Sequence, residues 1–132
     1  SGPVPGLFQG AADGTKAYFD YINSKGGVNG YKFSFHSYDD GFSGTQNQSL
    51  AESSVKSNFA DVGSFSLFDN YGCSVFAQNP AFPDVSSTLD PVTNSLKSNF
   101  SPEPIMPGGP LTAYQYFASR DHVLVAVHAA LV

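Results

Sequence analysis

The chain is short of cysteine, of basic residues and of long apolar runs. One cysteine, Cys73, in 132 residues rules out an intrachain disulfide framework. That fits the cytoplasm, and it equally fits a secreted protein that does without disulfides. Six Lys and Arg stand against eleven Asp and Glu, a net charge of −5 with a pI near 4.8. A nucleic-acid surface needs a basic stripe, so no nucleic-acid partner is expected. No block of like charges forms an interaction tail. No segment approaches the roughly 18 apolar residues of a membrane span. The longest apolar run, residues 123–132, is interrupted by His128. Ser1-Gly2-Pro3 lacks the charged-then-apolar pattern of a signal sequence. An intracellular protein fits this, and so does a mature or trimmed one. His36, His122 and His128 are too scattered for a zinc motif, and no glycine-rich phosphate loop is present. No metal and no cofactor are expected.

What is present is concentrated in residues 23–41, "NSKGGVNGYKFSFHSYDDG". Ahead of it, Phe8, Ala11, Ala12, Thr15, Phe19 and Ile22 recur at three- and four-residue steps, which predicts a helix over 10–24. Lys25-Gly26-Gly27 stops it, because glycine supplies the left-handed cap at low cost. Asn29-Gly30 makes a tight turn. Residues 31–39 then alternate, with Tyr31, Phe33 and Phe35 on one side and Lys32, Ser34 and His36 on the other. That predicts an edge strand with one buried face, since a central parallel strand is apolar on both.

Further elements follow in strict alternation. Helices are expected over 44–57, 71–78 and 110–119, and strands over 59–64, 81–86 and 122–132. Residues 90–109, rich in proline, are expected to be irregular. Alternating helices and strands predict one α/β domain with a parallel sheet covered by helices. The pattern opens on a helix, so a strand is expected ahead of Gly2.

The residues also resemble a known family. "SGPVPGLFQGAADGTKAYFDYINSKGGVNGYKFSFHSYDDG" is similar to the opening of type I periplasmic binding proteins, of the branched-chain amino-acid kind of ABC-transporter substrate receptor. "DYINSKGGVNGYKF" looks like its Gly-Gly-Val-Asn-Gly signature, and "YDDG" like the acids ending its second strand. "VGSFS", "FPDVSSTLDP" and "HVLVAVHAALV" resemble, less specifically, its third, fourth and fifth strand regions. The resemblance implies a Rossmann-like, flavodoxin-like three-layer sandwich. Residues 1–132 would be most of the N-terminal lobe of a two-lobed solute receptor, without its first strand and second lobe. In the strand order 2-1-3-4-5 the missing strand would lie between those at Tyr31 and Phe59. Residues outside this sequence, a partner chain (as a dimer or by strand exchange) or a rearrangement are expected to fill that slot.

The resemblance further implies a non-enzymatic, extracytoplasmic protein. It would bind a small polar ligand such as an amino acid and present it to a membrane permease. A ligand-sensing receptor domain is the alternative; an enzyme would need an acid–base or nucleophile set that the loops lack. Ligands of parallel α/β sheets sit beyond the carboxyl ends of the strands. Ser66, Ser87 and Thr88 would offer hydroxyls to a carboxylate, and Asp69 would take an ammonium. Leu7 would present a side chain to the ligand. The plainer reading is that these hydroxyls cap helices and Leu7 is core. Leu67-Phe68 replaces the family's small hydroxyl residues, which suits an aromatic or larger ligand. For Asp39-Asp40 the favoured reading is one acid capping the helix near Ser43 and the other solvated. The alternatives are a cation site or a bond to the neighbouring loop. Cys73 reads as a structural thiol. Two glycosylation sequons, at Asn47 and Asn99, read as chance.

Overall fold

The first helix, α1 (Gln9–Ser24), ends as its glycines dictate. Gly26 donates to Asn23 O at 3.1 Å and Gly27 to Ile22 O at 3.0 Å, with φ of 104° and 79°. This pairing of bonds is a Schellman cap, which only glycine enters without strain. Asn29 and Gly30, both at positive φ, then turn the chain back, and Val28 and Tyr31 exchange two backbone bonds of 2.8 and 2.9 Å. These features belong to a computed structural model that describes residues 6–102, 115–116 and 119–120.

The remaining elements are α2 (Gly44–Ser57), β1 (Asp61–Phe65), α3 (Asp69–Gln78), β2 (Asp84–Ser87) and α4 (Pro91–Asn94). Strands β1 and β2 pair in parallel, with Asp61 opposite Asp84 and Val62 opposite Val85. The register shifts before Phe65 pairs with Ser87. Asn99 adds a parallel bridge to Asp84 on the other side of β2. The class is α/β with a parallel sheet, as the alternation implies. The buried apolar core is Ala51, Val75, Phe76 and Phe82, with Val55 and Leu96 packed against it. It is held between α2, α3 and the approach to β2, and Phe76 stacks on Phe82 at 6.1 Å.

Three expectations need correction. Residues 32–40 form no strand. Their alternation still sets the faces: Phe19 of α1 stacks on Phe33 at 4.6 Å and meets Phe35 edge-on at 6.1 Å. Tyr31 and Phe33, however, are both exposed, so the expected buried face does not form. A ladder needs a neighbour, and among the described residues none lies beside this segment. The side chain of Asn23 substitutes for one at a single residue, bonding both the N–H (2.8 Å) and C=O (2.9 Å) of Phe33. Second, residues 91–94 are helical rather than irregular. Asp90 caps this turn through Thr93 N at 2.8 Å, and Pro91 sits at its first position, where its fixed φ fits. Third, the slot between residues 31–40 and β1 is not filled by a rearrangement of the described residues. It is a cleft of about 1320 Å³ walled by Phe8 and Phe19 of the α1 region, Phe33 and Phe35, and Leu50 and Ala51 of α2. The expected strand at 122–132 and most of the helix at 110–119 lie outside the described residues; Gln115, Tyr116, Ser119 and Arg120 are helical.

Candidate ligand-binding rim

Strands β1 and β2 are parallel, so the loops after them leave the same edge of the sheet, and the end of the extended segment joins them through a side-chain bond. Carboxylates tie them together. Asp40, at the end of the extended segment, accepts Ser66 Oγ from the loop after β1 at 2.5 Å. It also accepts Asn47 Nδ2 from the second turn of α2 at 3.3 Å and Phe42 N at 3.0 Å. Asp69, the first residue of α3, accepts Thr88 Oγ1 and, at 3.0 Å, Leu89 N from the loop after β2. Asp90 takes both the N–H and the hydroxyl of Thr93, at 2.8 and 2.7 Å. Burial raises the Asp90 carboxyl, but these hydrogen bonds outweigh it and hold the pKa below the ordinary range.

Asp39 and Asp40 thus differ from the favoured reading. Ser43, not an acid, caps α2, accepting Gln46 N at 3.4 Å. Asp39 closes a local turn onto Gly41 N at 2.9 Å. Asp40 makes the bond to the neighbouring loop that was the alternative. Its partner Ser66 lies 26 residues away, and no local pattern announces such a pair.

The structure gathers most of the sequence-derived candidates. Leu7, Ser66, Asp69 and Ser87 all border the large cleft. Leu7 is 54% exposed, against the plainer reading that it is core. Thr88 is buried, its hydroxyl committed to Asp69. Ser66 adds a bond from Phe68 N at 3.0 Å. These hydroxyls brace loops as they stand. What the sequence reading missed is an aromatic corner on the same edge. Phe42 meets Phe68 edge-on at 5.1 Å, and Phe68 meets Tyr71 at 6.2 Å. Tyr71 lies flat against α2, where a Cβ on Gly44 would come within 2.6 Å of its ring. Phe42 holds φ at 65°, a region that bulky residues rarely enter.

The comparison with known families decides what kind of molecule carries this rim. Residues 1–70, just over half of the chain, match the family described as periplasmic binding protein. The chain belongs to the periplasmic binding protein family. No curated protein and no solved structure matches it. The match is to the type I, branched-chain amino-acid kind, and it implies an extracytoplasmic solute-binding protein. Members of this family are typically binding proteins rather than enzymes. The matched residues take in α1, its glycine cap, Asp40 and the loop after β1. Among the described residues of this binding protein, no group of three or more His, Cys, Asp or Glu could hold a metal, and no helix is long and apolar enough to cross a membrane. Both sequon asparagines are engaged, Asn47 with Asp40 and Asn99 with Asp84.

Proposed function

We propose that residues 1–132 are the first lobe of a two-lobed receptor that binds a small polar ligand, such as an amino acid, for uptake through an ABC-transporter permease. The observation that carries this reading is the rim itself. The two strand-end loops and the turn after the extended segment are cross-braced by Asp40–Ser66 and Asp69–Thr88, so their backbones are held in place before any ligand arrives. Preorganised loops on a parallel sheet are where such ligands bind. Leu7, Ser66, Asp69, Ser87 and Thr88 are the residues we assign to that site, Leu7 and Ser87 by contact. Ser66, Asp69 and Thr88 shape it through their braces. A second lobe would close over this edge and bury the ligand.

A single lobe offers half of such a cleft and binds weakly, so the test needs a method that reads millimolar affinity. Amide NMR spectra of the 132-residue chain, titrated with a panel of amino acids, meet that need. Saturable shifts confined to residues 7, 66–69 and 87–89 are expected from at least one ligand. Shifts elsewhere, or none across the panel, would remove the reading.

A further inference from the structure

Asn29-Gly30 is the tip of the turn that carries the chain from α1 into the extended segment and the cleft wall. An asparagine side chain can be attacked by the backbone nitrogen of the next residue. Glycine in that next place leaves the approach open, because it has no Cβ. Of the asparagines in the chain, Asn29 alone precedes a glycine. The others are also guarded. Asn23, Asn47, Asn58, Asn79 and Asn99 each commit the carboxamide to a hydrogen bond. Asn70 and Asn94 lie inside α3 and α4. The Asn29 carboxamide has no partner among the described residues, and no backbone carbonyl accepts the Gly30 N–H. Both residues are exposed, with open space around Gly30.

The two Asp-Gly pairs, which reach the same cyclic imide by loss of water, are held more firmly. Asp13-Gly14 lies within α1, and Asp40 is bound by Ser66, Asn47 and Phe42 N. At Asn29 the backbone must rotate for the ring to close, so the turn must open first. Little resists this. Two backbone bonds between Val28 and Tyr31, of 2.8 and 2.9 Å, close the turn, and these residues are 50% and 80% exposed. Openings confined to an exposed turn cost little free energy.

We propose that Asn29 is a site of spontaneous modification, at which the chain converts to aspartate and isoaspartate. The Gly30 nitrogen attacks Asn29 Cγ and gives up its proton. The Cγ–Nδ2 bond breaks, ammonia leaves, and a five-membered imide remains. Water then adds to one of the two imide carbonyls. Breaking the bond from Cγ to the Gly30 nitrogen restores the ordinary backbone with aspartate at position 29. Breaking the bond from the main-chain carbonyl carbon to that nitrogen routes the chain through Cγ and leaves isoaspartate. Nothing is oxidised or reduced, and water is the only co-reactant.

Isoaspartate places one extra carbon atom in the main chain. A two-residue turn closes only with matched backbone twist, so Val28 and Tyr31 cannot keep both bonds around it. The next contacts along the chain are the Asn23 clamp on Phe33 and the stack of Phe33 on Phe19. Conversion at Asn29 therefore loosens the wall of the cleft that these contacts hold.

The test ages the 132-residue chain at mildly alkaline pH. Trypsin cuts after Lys25 and Lys32 and releases residues 26–32, whose only asparagine is Asn29. That peptide should gain the mass of an amide-to-acid exchange and divide into two chromatographic species. One of them should be labelled by an isoaspartate methyltransferase. Conversion at Asn29 should lead that at every other asparagine by about tenfold or more, the gap between a readily opened turn and guarded positions. An unmodified peptide, over the time in which the free peptide of the same sequence converts, would overturn the proposal. So would another asparagine reacting first. Asn29→Gly suits the same turn and has no carboxamide, so its aged chain should gain no acid in residues 26–32. In aged samples the Phe33 amide should exchange hydrogen several-fold faster in the parent than in this variant. Equal exchange with isoaspartate present would overturn the loosening of the wall.

Discussion

Asp84 is 1% exposed, and its Oδ1 has no hydrogen-bond partner among the described residues. Its Oδ2 accepts Asn99 Nδ2 at 2.7 Å, while Asn99 Oδ1 is likewise buried and unpartnered. Burial raises the Asp84 pKa above the ordinary carboxylate range; hydrogen bonds from Ser86 and Asn99 oppose this, and the charge of Asp69 adds to it. Its strand neighbour Asp61 is raised too, first by burial and then by Asp84, against a bond from Ser54. A proton on either acid removes a buried charge, and on Asp84 Oδ1 it turns an orphaned acceptor into a donor. Folded-state values raised above the unfolded ones bind protons more tightly in the native state. Their stabilising contribution is therefore complete below the unfolded carboxylate value and is lost as pH rises through the raised folded values. Urea titrations should show stability declining over that interval. Asp84→Asn keeps the shape, supplies N–H donors and abolishes the charge, so it should flatten the decline. At pH 7 it should cost nothing or add about 1 kcal/mol, the scale of one net hydrogen bond. A loss of more than about 2 kcal/mol at pH 7, the scale of an unsatisfied buried group, would show that the ionised form is the one the fold requires. The sequence disclosed neither the burial of Asp84 nor the partial burial of Asp61. Asp61 and Asp84 sit at strand starts, where a carboxylate usually reads as solvated, and only the register that pairs them shows otherwise.

Elements were legible where the signal is local. The three-and-four spacing of Phe8 to Ile22, the Gly26-Gly27 cap and the Asn29-Gly30 turn all name their own geometry, and α1 and α2 begin and end within a residue of expectation. The alternation of residues 31–39 put Phe33 and Phe35 on one side, where both meet Phe19, but Tyr31 and Phe33 stay exposed, and it named neither that neighbour nor the absence of a ladder. Helix α4 was within reach, since Asp90-Pro91 is a cap followed by a first-turn proline, but the surrounding prolines masked it. The contact between α1 and β1 was not legible at all. It turns on Gly63, at φ 70°, where a Cβ would drive into Thr15 Oγ1 and crowd Thr15 Cβ. Thr15 is held there by its own bond to Ala11 O at 2.9 Å. Gly63→Ala should therefore cost about 1–3 kcal/mol, the scale of a residue forced into a sparsely allowed backbone region, plus the displacement of α1. Adding Thr15→Ala should recover the crowding part but not the backbone part. A Gly63→Ala chain as stable as the parent in urea would mean that α1 does not rest on β1 as closely as this geometry requires.

Across the whole molecule, burial is uneven in a way that should be visible in its motions. The core is built from α2, α3 and the residues leading into β2, whereas α1 buries none of its sixteen residues. Helix α1 touches the rest through the Phe8–Phe65 ring pair at 4.5 Å, the Thr15–Gly63 approach and the stack of Phe19 on Phe33. Its inner side, together with the extended segment, forms a wall of the large cleft. Stability is local where buried apolar contacts are few, and amides there exchange through small openings rather than global unfolding. Hydrogen exchange on the 132-residue chain should divide it accordingly. Amides of α2 and α3 should exchange slowest, at the rate set by global unfolding. Those in the middle of α1 should exchange on the order of tenfold or more faster, the gap expected between a core element and a peripheral one. Asp84→Asn, acting in the core, should slow the first set and leave the second unchanged. Equal protection of α1 and α3 would contradict this division. It would mean that in solution the cleft-facing side of α1 is covered, because a helix with no buried residue has no other source of such protection.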